Sequence, residues 1–283
     1  MSQLQLSEPE PTNSIPRYPR KRFNLYRLPV FEIYSILALL FLFLPAIMLV
    51  VLSFNSNTTG VFPLKGFTLN WYAKALENKI LWPALKNSLI VAFGTAFASA
   101  LIGTPAAFGL VRHRFPFKNL LRGILVIPMS LPTLLIGVSL LSFFAFMSVP
   151  RSLFTVIIGH VVYCVPYLVL VVSARLIEFD FSIEEAAQDL GATPMQTFWK
   201  ITFPIIRPTV IGAMVLVFAQ SFDMFVISFF NIGAQSTLPM VIWSMMRIGI
   251  NPSLNALGSM LMVLSTFMLF LAYRYGGVKL GGV

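Results

Sequence analysis

Residues 182–204 read Ser182-Ile-Glu-Glu-Ala-Ala-Gln-Asp-Leu-Gly-Ala-Thr-Pro-Met-Gln-Thr-Phe-Trp-Lys-Ile-Thr-Phe-Pro204. Ser182 followed by Glu185 has the form of a capping box and predicts a helix through Leu190. Gly191 is placed to end that helix in a left-handed conformation. Thr193 and Pro194 supply an N-cap and a first-turn proline for a second short helix. Pro204 is expected to stop it. The stretch could simply connect two longer elements, but simple connectors rarely need two capped helices.

Outward from this stretch the chain turns apolar in both directions. Apolar residues make up 57% of the sequence and charged residues 11%, with 27 Phe and a mean hydropathy of +0.83. A water-facing surface needs more charge than that, and the apolar residues fall in long runs, not in amphipathic stripes. Crossing a bilayer as a helix takes roughly 20 apolar residues. Six segments qualify: 31–54, 87–111, 123–147, 153–174, 205–230 and 256–273. Backbone groups cannot go unpaired in hydrocarbon, so all six are expected to be helices. Pro45, Pro105, Pro128, Pro132 and Pro166 fall within them, which membrane bundles tolerate as kinks. The fold class expected is all-α, a polytopic membrane protein with six transmembrane helices. Small residues from Gly94 to Gly109 predict close helix packing in the second segment.

The net charge of +10 follows the ends of the apolar runs. With the N-terminus inside, fourteen Lys and Arg lie on the cytoplasmic side and six outside (Lys65, Lys74, Lys79, Lys86, Arg151 and Arg247). That bias predicts cytoplasmic termini and a cytoplasmic 182–204 loop. No basic face interleaves with exposed aromatics, so nucleic acid is not an expected partner. The basic tail of residues 1–30 and the long run behind it do not suit a cleavable signal. Lone Cys164 allows no intrachain disulfide, and His113 and His160 show no metal spacing; the histidines are expected to be hydrogen-bonded structural residues. Residues 55–84 form an outer loop with Trp71-Tyr72 suited to the interface, and 239–250 are apolar but too short to span, suggesting a re-entrant or interfacial helix.

The 182–204 loop resembles the signature of the integral-membrane permeases of binding-protein-dependent ABC importers: Glu185-Ala186-Ala187, Gly191, then Ile201-Thr202-Phe203-Pro204, with Phe203 in a position usually Leu. The likeness covers about residues 87–273, within an expected permease domain of 31–283. It implies the type I permease fold of that family. The loop is then the coupling region that docks on a cytoplasmic ATPase subunit, through Glu184, Glu185, Ala186, Ala187, Gly191, Ile201, Phe203 and Pro204. Glu185 is expected to pair with a basic residue there. The implied partners are a second homologous permease, two ATPase subunits and an extracytoplasmic binding protein, in the lipid of a bacterial inner membrane. The chain has no phosphate-binding Gly-rich loop of its own. It is therefore expected to be no enzyme and to bind no cofactor, with ATP and Mg on the partner subunits.

Ser221-Phe-Asp-Met-Phe-Val-Ile-Ser-Phe-Phe230, Thr237-Leu-Pro239 and Ile242-Trp-Ser-Met245 look like the second permease subunit of spermidine/putrescine importers. Those permeases commonly carry paired Asp where this chain has Asp223-Met224. Asp223 is the only acidic residue well inside an expected span, about two-thirds of the way outward. A membrane carboxylate is costly, so it is expected either to face a wet cavity or to find a partner in the bundle. The candidate substrate pathway is Asp223 with Phe222, Phe225 and Trp243, aromatic faces that suit a cation. The expected function is that of a permease subunit importing polyamines or related amine-bearing small molecules. The same importer class for an opine, an amino-acid derivative or an iron complex stays open, and more remotely a stand-alone ion-driven carrier.

Overall fold

The computed structural model describes residues 29–58, 63–249 and 252–275, so the basic N-terminal tail, Gly60 and Lys279 lie outside the described residues. Apart from one isolated bridge between Asn55 and Phe67, the described residues are helical or irregular. The chain divides into two compact units, residues 1–46 and 47–283. The described part of the first is residues 29–46 of α1 (Pro29–Ser53), an apolar stretch whose one charged residue is Glu32 in its first turn.

Three long helices make the heart of the second unit: α3 (Leu81–Arg112), α6 (Leu153–Ile177) and α9 (Phe203–Asp223), each packed on the other two. In lipid the hydrophobic effect does not drive such association; close van der Waals packing does, and small side chains permit it. Ala92, Ala96, Ser99, Gly103 and Ala107 lie at helical spacing on one face of α3, and all are buried. They face a core that includes Cys164, Leu168 and Val172 of α6 and Ile206 and Val217 of α9. Basic side chains close the end of α3. Lys118 Nζ donates to the His113 carbonyl at 2.9 Å, and Arg122 Nη2 to the Leu110 carbonyl at 2.9 Å. Cations there complement the helix dipole.

Four helical stretches, Phe31–Ser53, Leu81–Arg112, Leu153–Ile177 and Pro194–Asp223, are long and apolar enough to cross a membrane. The expected third span, 123–147 with kinks at Pro128 and Pro132, is two helices, α4 (Lys118–Ser130) and α5 (Thr133–Phe146), bent by 102°. Pro132 lacks an N–H and forces Leu131 into an extended conformation (φ −85°, ψ 144°), which breaks the helix there. Counting that pair as one span gives five among the described residues. The last helix, α12 (Pro252–Tyr275), contributes a shorter apolar stretch, Pro252–Phe267. The count of six is therefore not reached by helix length and apolarity alone.

The expected fifth span also differs at both ends. Pro204 does not stop the preceding helix. The short helix α8 (Pro194–Thr197) passes through a π-helical turn, Phe198–Thr202, directly into α9. A wider turn accommodates a proline that can donate no hydrogen bond. At the other end α9 stops at Asp223, Met224 is extended (φ −75°, ψ 101°), and a separate helix, α10 (Val226–Asn231), follows. The outer loop contains α2 (Asn70–Glu77), where Trp71 Nε1 donates to the Asn55 carbonyl at 2.8 Å. The short apolar segment forms α11 (Leu238–Ile248).

Candidate functional site

Two places concentrate the residues that the sequence singles out, one at each end of α9. The first is the loop of α7 (Ser182–Asp189) and α8. Its N-terminus is not held by the expected Ser182–Glu185 box. The Asp180 carboxylate instead accepts the Ser182 N–H at 3.0 Å. Those bonds from Ser182 hold the exposed Asp180 carboxyl below its usual value. Gly191 has φ +88°, a conformation costly for any residue with a Cβ. The Ala192 N–H reaches the Ala187 carbonyl and the Gly191 N–H the Gln188 carbonyl, which closes α7 with a Schellman motif. Thr193 caps α8, and Gln196 reciprocates by accepting the Thr193 N–H.

The adjacent carboxylates Glu184 and Glu185 face opposite ways. Glu185 and Ala186 are exposed and Ala187 half-buried. Glu184 is buried; one of its oxygens accepts hydrogen bonds from both Arg112 Nη2 and the Thr202 hydroxyl. The Arg112 guanidinium also lies 4.9 Å from the Phe108 ring centroid and 5.1 Å from that of Phe181. Glu184 thus ties α7 to the end of α3 and to the π turn before α9. Ile201 and Phe203 are half-buried and Pro204 exposed. Phe203 packs with Trp199 and Phe198, and Phe198 with Phe108. The outward face carries Glu185 together with Ile183, Met195 and Leu190, the last 89% exposed.

The second place is the break between α9 and α10, about 30 Å along α9 from the first at 1.5 Å per residue. Phe222, Asp223, Phe225 and Trp243, distant in sequence as α9, the break and α11, line one cavity of about 260 Å³ together with Ile242 and Met246. The Phe225 and Trp243 rings are 5.4 Å apart. Residues of the α3 N-terminal half fix the position of α11: the Leu238 N–H donates to Ser88 Oγ and Asn87 Nδ2 to the Ser236 carbonyl, both at 2.9 Å. Asp223 is exposed to the cavity and has no hydrogen bond or ion pair among the described residues. Among the described residues it makes none of the capping or pairing contacts that the alternative reading of the sequence allowed. No group of three metal-ligating side chains occurs among the described residues.

Sequence reasoning missed Arg112 and Thr202 as partners of Glu184, since no local spacing links positions 72 and 18 residues away. His160 is hydrogen-bonded as expected, but its partners were not foreseen: Ser221 and Ser228, seven residues apart across the break.

A polytopic helical permease is the class this architecture defines. Residues 99–276 match the family model described as binding-protein-dependent transport system inner membrane component. The chain is 39% identical over 235 residues to the putrescine transport system permease protein PotI of Escherichia coli K12, covering 80% of this chain and 83% of that one. It is 37% identical over 229 residues to the spermidine/putrescine transport system permease protein PotC of the same organism, covering 81% and 86%. Among solved structures it resembles a chain of the inward-facing MetNI methionine ABC transporter, with a TM-score of 0.59 at 23% identity over 70% of this chain and 94% of that one. A chain of the bacterial alginate ABC transporter in complex with alginate pentasaccharide-bound periplasmic protein gives a TM-score of 0.64 at 14% identity, over 90% and 97%. The chain belongs to the inner-membrane components of binding-protein-dependent transport systems, with the type I ABC permease fold, and is the permease subunit of such an importer.

Proposed function

We propose that the chain imports putrescine, spermidine or a closely related amine, and that the amine passes the Asp223 cavity. The observation that carries this reading is the unpartnered carboxylate beside three aromatic side chains. An alkylammonium brings what the cavity lacks: positive charge and N–H donors for Asp223, and methylenes for the faces of Phe222, Phe225 and Trp243. The substrates named for the PotI and PotC relatives support it.

In the same reading the outward face of α7 and α8 docks on a cytoplasmic ATPase subunit, with Glu185 meeting a basic residue and Leu190 and Met195 entering its surface. Closure of an ATPase pair moves this loop. Glu184, Arg112 and the aromatic cluster of Phe198 and Phe203 carry the motion into α3 and α9, and so to the cavity. A second homologous permease completes the pathway and a binding protein delivers substrate outside. ATP and Mg belong to the ATPase subunits, and this chain performs no chemistry and binds no cofactor. We assign six crossings to residues 31–283, with the α4–α5 pair as one bent crossing, α12 as the last, and both termini, including the 1–30 tail, in the cytoplasm. The distribution of Lys and Arg supports that orientation.

The test is ATP hydrolysis by the reconstituted importer with its binding protein, against putrescine, spermidine, an opine, 4-aminobutyrate and ferric citrate. Stimulation by putrescine or spermidine is expected. Stimulation by one of the other ligands alone would discard the amine reading and leave the importer in place.

A further inference from the structure

Nothing local explains why α9 stops at Asp223. The segment Ser221-Phe-Asp-Met-Phe-Val-Ile-Ser-Phe-Phe-Asn231 contains no Pro and no Gly, and a sharp break in a helix needs one of these or an intruding side chain. Open backbone groups are also costly at membrane depth. The break must therefore be imposed and repaired from outside the segment.

α6 supplies the means. His160 is 1% exposed; its Nδ1 lies 2.8 Å from the Ser221 hydroxyl of α9 and its Nε2 3.0 Å from the Ser228 hydroxyl of α10. Ser228 donates its single proton to the Met224 carbonyl at 2.9 Å. Nε2 must then carry the hydrogen and donate to Ser228, which leaves Nδ1 of the neutral ring to accept from Ser221. One imidazole thus grips both sides of the break, and through Ser228 reaches the backbone of Met224 itself. A second set of bonds fixes the far end of α10. Asn231 Nδ2 donates to the Gly137 carbonyl of α5 at 3.1 Å, and the Thr155 hydroxyl of α6 donates to the Asn231 carbonyl at 2.7 Å. Close approach of α6 to α10 depends on Gly159, where a Cβ would lie 2.7 Å from Ile227 Cγ2.

We propose that His160 is a positioning residue for Asp223: by tying Ser221 and Ser228 to one buried ring it holds the helix broken, so that the carboxylate ends α9 facing the cavity. The proposal rests on the reading of Asp223 as the contact for the substrate's ammonium group. His160 is not among the residues that line the cavity and acts through the Ser221 and Ser228 hydroxyls on either side of the break.

A double-mutant cycle tests it, read as uptake of radiolabelled putrescine and spermidine into proteoliposomes bearing the whole importer, at equal amounts of assembled complex. His160→Leu removes both bonds and is expected to lower uptake about tenfold, equivalent to about 1.4 kcal/mol. His160→Gln, which keeps a donor for Ser228, is expected to recover part of the loss. In an Asp223→Asn background His160→Leu should produce no further decrease, because the group it positions is already gone. Independent, multiplying losses in the two variants would overturn the positioning role while leaving Asp223 in the pathway. Wild-type uptake by Asp223→Asn alone would instead overturn the pathway reading, and this proposal with it. Should His160→Leu fail to assemble, Ser221→Ala removes one of the two bonds with little change in packing and carries the same cycle.

Discussion

The two ends of α9 are held in place by different chemistry. At the α7–α8 loop the joint is ionic: Glu184 meets Arg112, Thr202 adds a hydroxyl, and Lys118 and Arg122 sit on carbonyls at the end of α3. At the break the joint is neutral, built from an imidazole, two serines, a threonine and an asparagine. The desolvation cost of charge accounts for the difference. Arg112 and Glu184 keep partial access to solvent, with side chains 23% and 11% exposed, so the cost of burying the pair is reduced. Deep in a bundle a charge is far more expensive, and neutral donors and acceptors satisfy the backbone instead. Against that background Asp223 is the exception, a carboxylate placed at the neutral joint with no partner of its own among the described residues. In the proposed function a ligand's ammonium group supplies the opposite charge.

The largest effects should separate two adjacent carboxylates. Glu185→Arg alters an exposed side chain, so the amount and stability of the folded chain should stay within about 0.5 kcal/mol of the original, while uptake is abolished. Normal uptake by that variant would remove Glu185 from the coupling surface. Glu184→Arg sets two cations together and should cost about 3 kcal/mol, read as a lowered melting temperature of the purified complex. Exchanging the charges, with Arg112→Glu added, should recover part of that stability. A Glu184→Arg variant as stable as the parent would mean that the ionic joint does not hold the loop. Asp223→Asn comes next. It should assemble normally and lower putrescine uptake about tenfold, a change of about 1.4 kcal/mol, since the neutral amide keeps the shape and loses the charge. Unchanged uptake would return Asp223 to a structural role and leave the two ends of α9 without a functional difference.

What the sequence disclosed, and what it did not, follows the reach of each interaction. The spans around α3 and α6 and the glycine turn at Gly191 were legible because hydropathy and positive φ are written in consecutive residues. Candidate pathway residues were legible for a chemical reason: one acidic residue in an apolar run, with aromatics nearby, and the structure gathers Phe222, Asp223, Phe225 and Trp243 around one cavity. A kink at Pro132 was legible, but its size of 102° was not, since hydropathy measures apolarity and is blind to direction. Pro204 misled because a π turn can carry a helix through a residue that an α turn cannot. The break after Asp223 was hidden altogether, since the groups bonded to its flanks, His160 of α6 and the Gly137 carbonyl of α5, lie far away in sequence. For the same reason Glu184 gave no sign of facing inward, its arginine being 72 residues distant.

The smallest effect belongs to Asp180, and it tests whether charge also matters at the outermost edge of the ionic end. Its carboxylate accepts the Ser182 N–H at 3.0 Å, taking the place of the capping box that Ser182 and Glu185 do not form. The bonds from Ser182 depress the Asp180 pKa in the folded chain below the ordinary 3.8. The sign follows directly: a carboxyl with a depressed folded value contributes stability that is complete above 3.8 and is lost as pH falls through the folded value. Near neutrality the contribution is constant, and full exposure to solvent keeps it small. Acidification into this range should therefore loosen the start of α7 more in the parent than in Asp180→Asn, which has no charge to lose. Hydrogen exchange of the Ser182 to Glu185 amides on the purified complex measures that difference. Equal acid sensitivity in both proteins would show that the α7 N-terminus is set by its packing on Arg112 and Thr202 and owes nothing to the Asp180 charge.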